Sequence, residues 1–153
     1  HLRKPVCEPL DGTLAEPEIY TRLLTKMGLI PERFPLLERI AKGEPKFASY
    51  QLYLSSLMAT LKMNKQWAFY APSVIYRTLG ASLPEGADAA ALLLPLSIDY
   101  ASKYTEAVRK AGIKGNRLTL GTNLFRTILT RRSGVIISKH EFEDLWGFIK
   151  KEN

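Results

Sequence analysis

The chain has 153 residues, a hydrophobic fraction of 46% and a formal net charge of +7. This length and apolar content suffice for a globular domain with its own core, which argues against a disordered chain. A single cysteine excludes an internal disulfide and a metal cluster held by several cysteines of this chain. The longest apolar run, residues 89–96, is far shorter than the ~20 residues that span a membrane.

Proline and glycine divide the amino-terminal third into short predicted elements. Residues 1–16 predict an extended lead-in, and a first helix begins near Pro17 and ends at Gly28. A second helix is opened by Pro31, with Pro35 as a kink or as the true start, and stops at Gly43. The apolar positions of the first helix are Ile19, Leu23, Leu24 and Met27; those of the second are Leu36, Leu37 and Ile40.

A third helix is predicted after Pro45, followed by a short helix that ends at Gly80. Gln51, Ser55 and Lys62 lie off its apolar stripe, which we interpret as core rather than as a ligand pocket. The stripe consists of Phe47, Tyr50, Leu54, Leu57, Met58 and Leu61. The short helix carries Val74, Ile75 and Leu79.

The longest helical region is predicted over residues 87–111, where Pro95 indicates a kink or a new start. Its buried side is Leu94, Ile98, Ala101, Val108 and Ala111. A turn at Gly112, Gly115 and Asn116 follows, and then a helix whose apolar face is Leu124, Phe125, Ile128 and Leu129.

The last part of the chain predicts one extended run and one helix. Residues 131–134 end the preceding helix, and the β-branched residues 135–137 indicate an extended link. Ser138 and Glu141 form a capping box, with an acidic first turn behind it. The apolar face of this helix is Phe142, Leu145, Trp146 and Ile149. One β-rich run cannot make a sheet, so the fold class is all-α, with five to eight helices and at most a short two-stranded pair.

The net charge is concentrated between residues 103 and 132. This segment holds one acidic residue, Glu106, and its excess of basic residues accounts for the whole net charge. We interpret it as a solvated face, or as a face covered by a larger protein. Its basic residues are Lys103, Arg109, Lys110, Lys114, Arg117, Arg126, Arg131 and Arg132.

No set of residues in the sequence predicts catalysis or metal binding. His1 and His140 are far apart, and Cys7 has no basic partner at helical spacing. Asp99 and Glu106 are seven residues apart and indicate separate solvated charges. The glycines of Gly112-x-x-Gly115 follow a helix rather than open one, which is unsuited to cradling a phosphate. We therefore expect no catalytic residue, no metal ligand and no cofactor in this chain, and assign no cofactor-binding residue.

Two stretches resemble the large catalytic subunits of molybdopterin-dependent oxidoreductases, the dimethyl sulfoxide reductase and formate dehydrogenase superfamily. The first, LGTNLFRTILTRRSGVIISKHEFEDLW, covers residues 120–146 and is similar to a segment with a Leu-Phe pair, a Ser-Gly-Val and an acidic-aromatic helix. The second, EPLDGTLAEPEIYTRLLTKMGLIP, covers residues 8–31 and resembles a Pro-rich approach into a helix closed by glycine. The middle of the chain matches by order and position only.

The resemblance implies a single helical domain over residues 1–153, excised from a larger subunit and inactive alone. The parent would be a molybdenum or tungsten enzyme with a bis-pterin guanine dinucleotide cofactor and an iron–sulfur cluster, formate-dehydrogenase-like in its reaction. None of the motifs that bind those groups occurs in this sequence, so no family site residue transfers to it. The partners implied are the other domains of the parent, and the compartment is the cytoplasm.

A second interpretation stays open, in which the chain is a basic all-α module that binds nucleic acid or an acidic protein. It depends on the segment 103–132 alone. We do not expect nucleic acid binding, because no aromatic residue interleaves with the charges to stack on bases except Tyr104 and Phe125, and Phe125 lies on an apolar stripe. The sequence leaves open the parent's substrate, metal, electron acceptor and oligomeric state.

Overall fold

The computed structural model describes residues 10–43 and 48–130, without the side chains of residues 48 and 49. Within these ranges there are eight α-helices, two short 3-10 helices and no strand, which confirms the all-α prediction. The α-helices are α1 Glu16–Lys26, α2 Pro35–Lys42, α3 Ala48–Met63, α4 Lys65–Phe69, α5 Ala71–Thr78, α6 Leu93–Lys103, α7 Thr105–Lys110 and α8 Leu120–Thr130. The 3-10 helices are Gly80–Ser82 and Asp88–Leu92.

The chain divides into two compact units: the unit 10–94, described over residues 10–43 and 48–94, and the unit 95–130. The single domain over residues 1–153 stays a prediction. Cys7, the histidines, the capping box at Ser138 and the extended run 135–137 lie outside the described residues, as do the ends of the resembling stretches.

Helix α5 is the centre of the unit 10–94. It packs against α1, α2, α4 and both 3-10 helices. Pro72 lies in its first turn, where a missing N–H is tolerated, and Val74, Ile75 and Leu79 of the predicted short helix are buried. The Arg77 guanidinium donates to the carbonyl of Glu32 at 2.6 Å, which ties the connection between α1 and α2 to α5.

Helix α1 has the predicted limits but buries a different face. Gly28 adopts a φ of 70°, and the Leu29 N–H donates to the Leu24 carbonyl at 2.9 Å, which closes the helix. Ile19, Leu23 and Met27 are at least half exposed, whereas Thr21 is 1% exposed. The packing of α1 on α5 selects the Thr21 side of the helix, so the predicted apolar face is not the core face.

Helix α2 begins at Pro35, the later of the two predicted starts, and ends at Gly43 as predicted. The prediction that Pro31 opens it is wrong. Its first turn is held by Glu38, whose carboxylate accepts the Phe34 N–H at 2.9 Å and a bond from Arg33 at 2.8 Å. The Arg33 hydrogen bond, with the Phe34 N–H, lowers the pKa of Glu38. Because Glu38 accepts the Phe34 N–H, which has no acceptor within the helix, α2 is stabilised with its start at Pro35.

Helix α3 buries Tyr53 and Leu57, while Tyr50, Leu54 and Leu61 are half-buried. Met58, predicted to lie in the core stripe, is exposed, and Tyr53 was not predicted to be in the core. Helix α3 packs on α2 and α4, and its buried side carries Tyr53 and Leu57, so the core stripe is rotated from the predicted one.

The unit 95–130 has a small core between α6, α7 and α8. Pro95 lies in the first turn of α6, so the predicted interruption is a new helix after the 3-10 turn at Asp88–Leu92. The Thr105 hydroxyl donates to the Ala101 carbonyl at 2.9 Å where α6 gives way to α7, a bond that bends helices. The buried cluster is Ala101, Val108, Ile113, Leu120 and Leu124. Leu124 and Phe125 are buried as predicted.

Candidate functional surfaces

The acidic residues considered as a catalytic pair are each engaged with a basic neighbour. The Asp99 carboxylate accepts from Lys103 Nζ at 2.7 Å, and Glu106 lies 3.7 Å from the Arg109 guanidinium. The Asp99 hydrogen bond and charge raise the pKa of Lys103. All four side chains are exposed, and each pair stabilises its own helix surface by a small amount. This arrangement gives no coupled acid–base pair.

The connection between α7 and α8 is a closed loop. Gly112 adopts a φ of 83°, a conformation that favours glycine. The Asn116 carboxamide oxygen accepts the Leu118 and Thr119 N–H groups, each at 3.0 Å. These two hydrogen bonds close the loop immediately before α8 begins at Leu120.

This loop carries two cations of the basic segment. Lys114 and Arg117 are exposed and form no ion pair with any residue in the described ranges. The Asn123 carboxamide donates to the Lys114 carbonyl at 2.6 Å, which fixes the loop backbone beneath the two side chains. Part of the predicted basic surface therefore remains available to an anionic partner, while Lys103 and Arg109 are already paired.

Buried hydroxyl groups form a contact that the sequence did not predict. The Thr78 hydroxyl donates to the Val74 carbonyl at 2.7 Å and lies 2.6 Å from the Tyr53 hydroxyl. A threonine hydroxyl has one proton, so Tyr53 must be the donor in the second bond. Burial raises the pKa of Tyr53 to about 12. The two residues are 25 positions apart, and no local pattern indicates their pairing.

Tyr76 is the second buried phenol of this unit. Burial, followed by the negative charges of Glu18 and Asp88, raises the pKa of Tyr76 to about 12. A neutral phenol between two carboxylates connects α1 and α5 to the start of the second 3-10 helix. Its hydroxyl stays protonated at neutral pH.

A cavity of about 80 Å³ lies beside Tyr53. It is smaller than the ~300–1,000 Å³ of most small-molecule sites. Its lining residues are Ile40, Ala41, Lys42, Gly43, Tyr50, Tyr53, Leu79, Ser82 and Leu83. This volume admits a few water molecules and no organic cofactor.

Two helices expose apolar side chains in the unit 10–94. The α1 apolar face consists of Ile19, Tyr20, Leu23 and Met27, all at least half exposed. The α3 outer face consists of the exposed residues Leu52, Ser55, Met58, Ala59, Lys62 and Met63. Helical spacing predicts Ile19, Leu23 and Met27 as one apolar face of α1. In α3 it predicts only Met58 of this set as core and places Ser55 and Lys62 off the stripe. Contiguous apolar surface of this kind marks contact with another protein surface or a ligand.

Across the described ranges, no three histidine, cysteine, aspartate or glutamate side chains are grouped as metal ligands would be. None of the helices in those ranges is long and apolar enough to cross a bilayer. Comparisons with protein-family models, curated proteins and solved structures give no match to this chain.

Proposed function

We propose that this chain is a helical part of the catalytic subunit of a molybdopterin-dependent oxidoreductase, in which it packs against other domains. In this proposal the parent transfers two electrons, with an oxygen atom or a hydride, to or from a small substrate such as formate. The metal, the pterin dinucleotides and the iron–sulfur cluster are bound by other parts of the parent. No residue of this chain is assigned to catalysis.

The proposal is supported by residues 8–31, which combine the family resemblance with an exposed apolar surface. This stretch resembles the superfamily segment in which a Pro-rich approach enters a helix closed by glycine. The same stretch exposes Leu10, Leu14 and the α1 apolar face to solvent. Large apolar side chains on both the approach and the helix favour a surface that another domain covers, since a free monomer seldom exposes so many together.

Expression of the complete reading frame that encodes this chain tests the proposal. The purified protein should contain molybdenum or tungsten, iron and a pterin, detected by elemental analysis and by fluorescence of the oxidised pterin. Formate oxidation with an artificial electron acceptor then tests the substrate. A complete protein that folds without molybdenum, tungsten and pterin when expressed in a host able to insert them contradicts the proposal.

The alternative is a basic all-α module for nucleic acid or an acidic protein. Lys114 and Arg117, held on a closed loop without ion pairs in the described part of the chain, favour it. Two features oppose base recognition: Phe125 is fully buried, and Lys103 and Arg109 are engaged with carboxylates. A filter-binding assay at two salt concentrations separates the alternatives.

A further inference from the structure

The α3 outer face differs from the solvent side of an ordinary helix. Its six residues fall within one continuous arc of the helix at 100° per residue, and all six are exposed. A helix that packs on one side normally carries several charges on the other. Here Lys62 is the sole charge in the arc, and Met63 is 88% exposed. The outer face therefore has the composition of a contact surface.

The charged residues of α3, α4 and α5 have one sign. No aspartate or glutamate occurs between residues 46 and 84, so α3, α4 and α5 are free of acidic residues. Lys62 and Lys65 are exposed and form no ion pair within the described ranges. Lys65 and Phe69, one turn apart, share a side of α4, and Phe69 is 84% exposed.

The corner between α3 and α4 fixes the orientation of α4, which carries Lys65 and Phe69. The Asn64 carboxamide oxygen accepts the Gln66 N–H at 3.1 Å and caps α4. On the other side of α4, Trp67 packs edge-on against Phe34 with ring centroids 5.4 Å apart. Fixing one side of α4 against the core leaves Lys65 and Phe69 directed away from it.

We propose that the α3 outer face and this corner pack against an amphipathic helix with an acidic edge, supplied by another domain of the parent subunit. Leu52, Ser55 and Ala59 follow a spacing of three and four residues, which matches the seam between two packed helices. An acidic edge on the partner pairs with Lys62 and Lys65, which form no ion pair with any described residue. That the partner helix belongs to the same subunit rests on the proposed function.

A lipid surface is the other partner that could bind a face with both cations and apolar side chains. Interfacial helices present large apolar residues along the inserted face and many cations beside it. The centre of this face is Ser55 and Ala59, which bury little area in a bilayer but allow a second helix to approach closely. The observations therefore favour a protein helix over a membrane.

Photo-crosslinking in the complete parent protein tests the inference. A photoreactive p-benzoylphenylalanine placed at Ala59 should crosslink to one peptide of the same subunit that lies outside residues 1–153, identified by mass spectrometry; a crosslink within residues 1–153 overturns the inference. That peptide should carry acidic residues beside apolar residues at helical spacing. The same label at exposed Ser102 is the control and should not give that peptide. A crosslink to lipid, to a peptide without acidic residues, to a separate protein, or no crosslink at all overturns the inference.

Charge reversal tests the acidic edge separately. Lys62→Glu combined with Lys65→Glu should lower the crosslink yield about tenfold, because like charges would then face each other. Lys26→Glu, on α1, is the matched control and should leave the yield unchanged. If the reversed variant unfolds, judged by circular dichroism, Lys62→Gln with Lys65→Gln replaces it and should still lower the yield severalfold. An unchanged yield overturns the inference. Molybdenum and pterin content of the same preparations reports on the proposed function independently.

Discussion

Gly121 in α8 lies directly against Ile98 in α6. A Cβ atom at position 121 would lie 2.5 Å from Ile98 Cα and 2.9 Å from its Cγ1. Backbone cannot yield to such a contact as the end of a flexible side chain can. The close approach brings α8 onto α6 beside the buried cluster of Ala101, Leu120 and Leu124. Glycine at position 121 is thus required by packing between helices.

Gly121→Ala should destabilise the protein. Alanine is the better helix former by ~1 kcal/mol, but separating the two helices should cost more, for a net loss of about 1–3 kcal/mol. Urea unfolding followed by circular dichroism measures the difference. Ser102→Ala, at an exposed helical position, is the control and should change stability by less than ~0.5 kcal/mol. A variant as stable as the original protein, or more stable, would show that the helices do not approach this closely.

The substitutions Tyr53→Phe and Thr78→Val should lower the free energy of unfolding by different amounts. Tyr53→Phe leaves the Thr78 hydroxyl still donating to Val74, so the expected loss is about 0.5–1.5 kcal/mol. Thr78→Val leaves a buried phenol without an acceptor, which should raise the loss to about 1–3 kcal/mol. In the double variant the two losses should not add. Equal losses, or the reverse order, in chemical denaturation would contradict the assignment of Tyr53 as donor.

Stability should fall at alkaline pH because of the buried phenols. The folded-state pKa of Tyr53 is about 12, against ~10 for an unfolded tyrosine. Between these values the unfolded chain loses the proton while the folded chain keeps it. The contribution of the protonated Tyr53 to the free energy of unfolding is present in full below pH ~10. Above that pH it declines by up to ~1.4 kcal/mol per pH unit. Denaturation midpoints between pH 9 and 11 should therefore fall less steeply in Tyr53→Phe, whereas exposed Tyr20→Phe should follow the original protein.

Binding to nucleic acid should be weak and sensitive to salt. Dispersed cations without a stacking platform should give dissociation constants of roughly 10⁻⁴–10⁻⁶ M at physiological salt. Titration of labelled DNA and RNA at two salt concentrations measures this. Lys114→Gln with Arg117→Gln should weaken the remaining association, since these cations have no ion pair in the described ranges. Tight, sequence-dependent binding that survives ~0.2 M salt would favour the basic-module alternative.

Local features of the sequence predicted the helix class and many of the breaks. Gly28 ends α1 and Gly112 follows α7 because both adopt positive φ, which glycine tolerates better than other residues. Pro95 marks a new helix because its ring is accommodated in a first turn. These are properties of one residue and its neighbours, and they can be read without the fold. Local sequence does not distinguish Pro31 from Pro35 as the start of α2, because the start depends on the Glu38 carboxylate accepting the Phe34 N–H.

Only the tertiary structure decided which side of each helix is buried. In α1 the apolar spacing is present, yet Thr21 faces α5 while Ile19 and Leu23 face solvent. The Tyr53–Thr78 bond and the Gly121–Ile98 contact each join residues more than 20 positions apart. Periodicity shows that a helix has an apolar side, but burial is set by the helices that pack against it. The sequence thus determined the helical elements, while the exposed faces of α1 and α3, on which the functional proposals depend, became visible only in the fold.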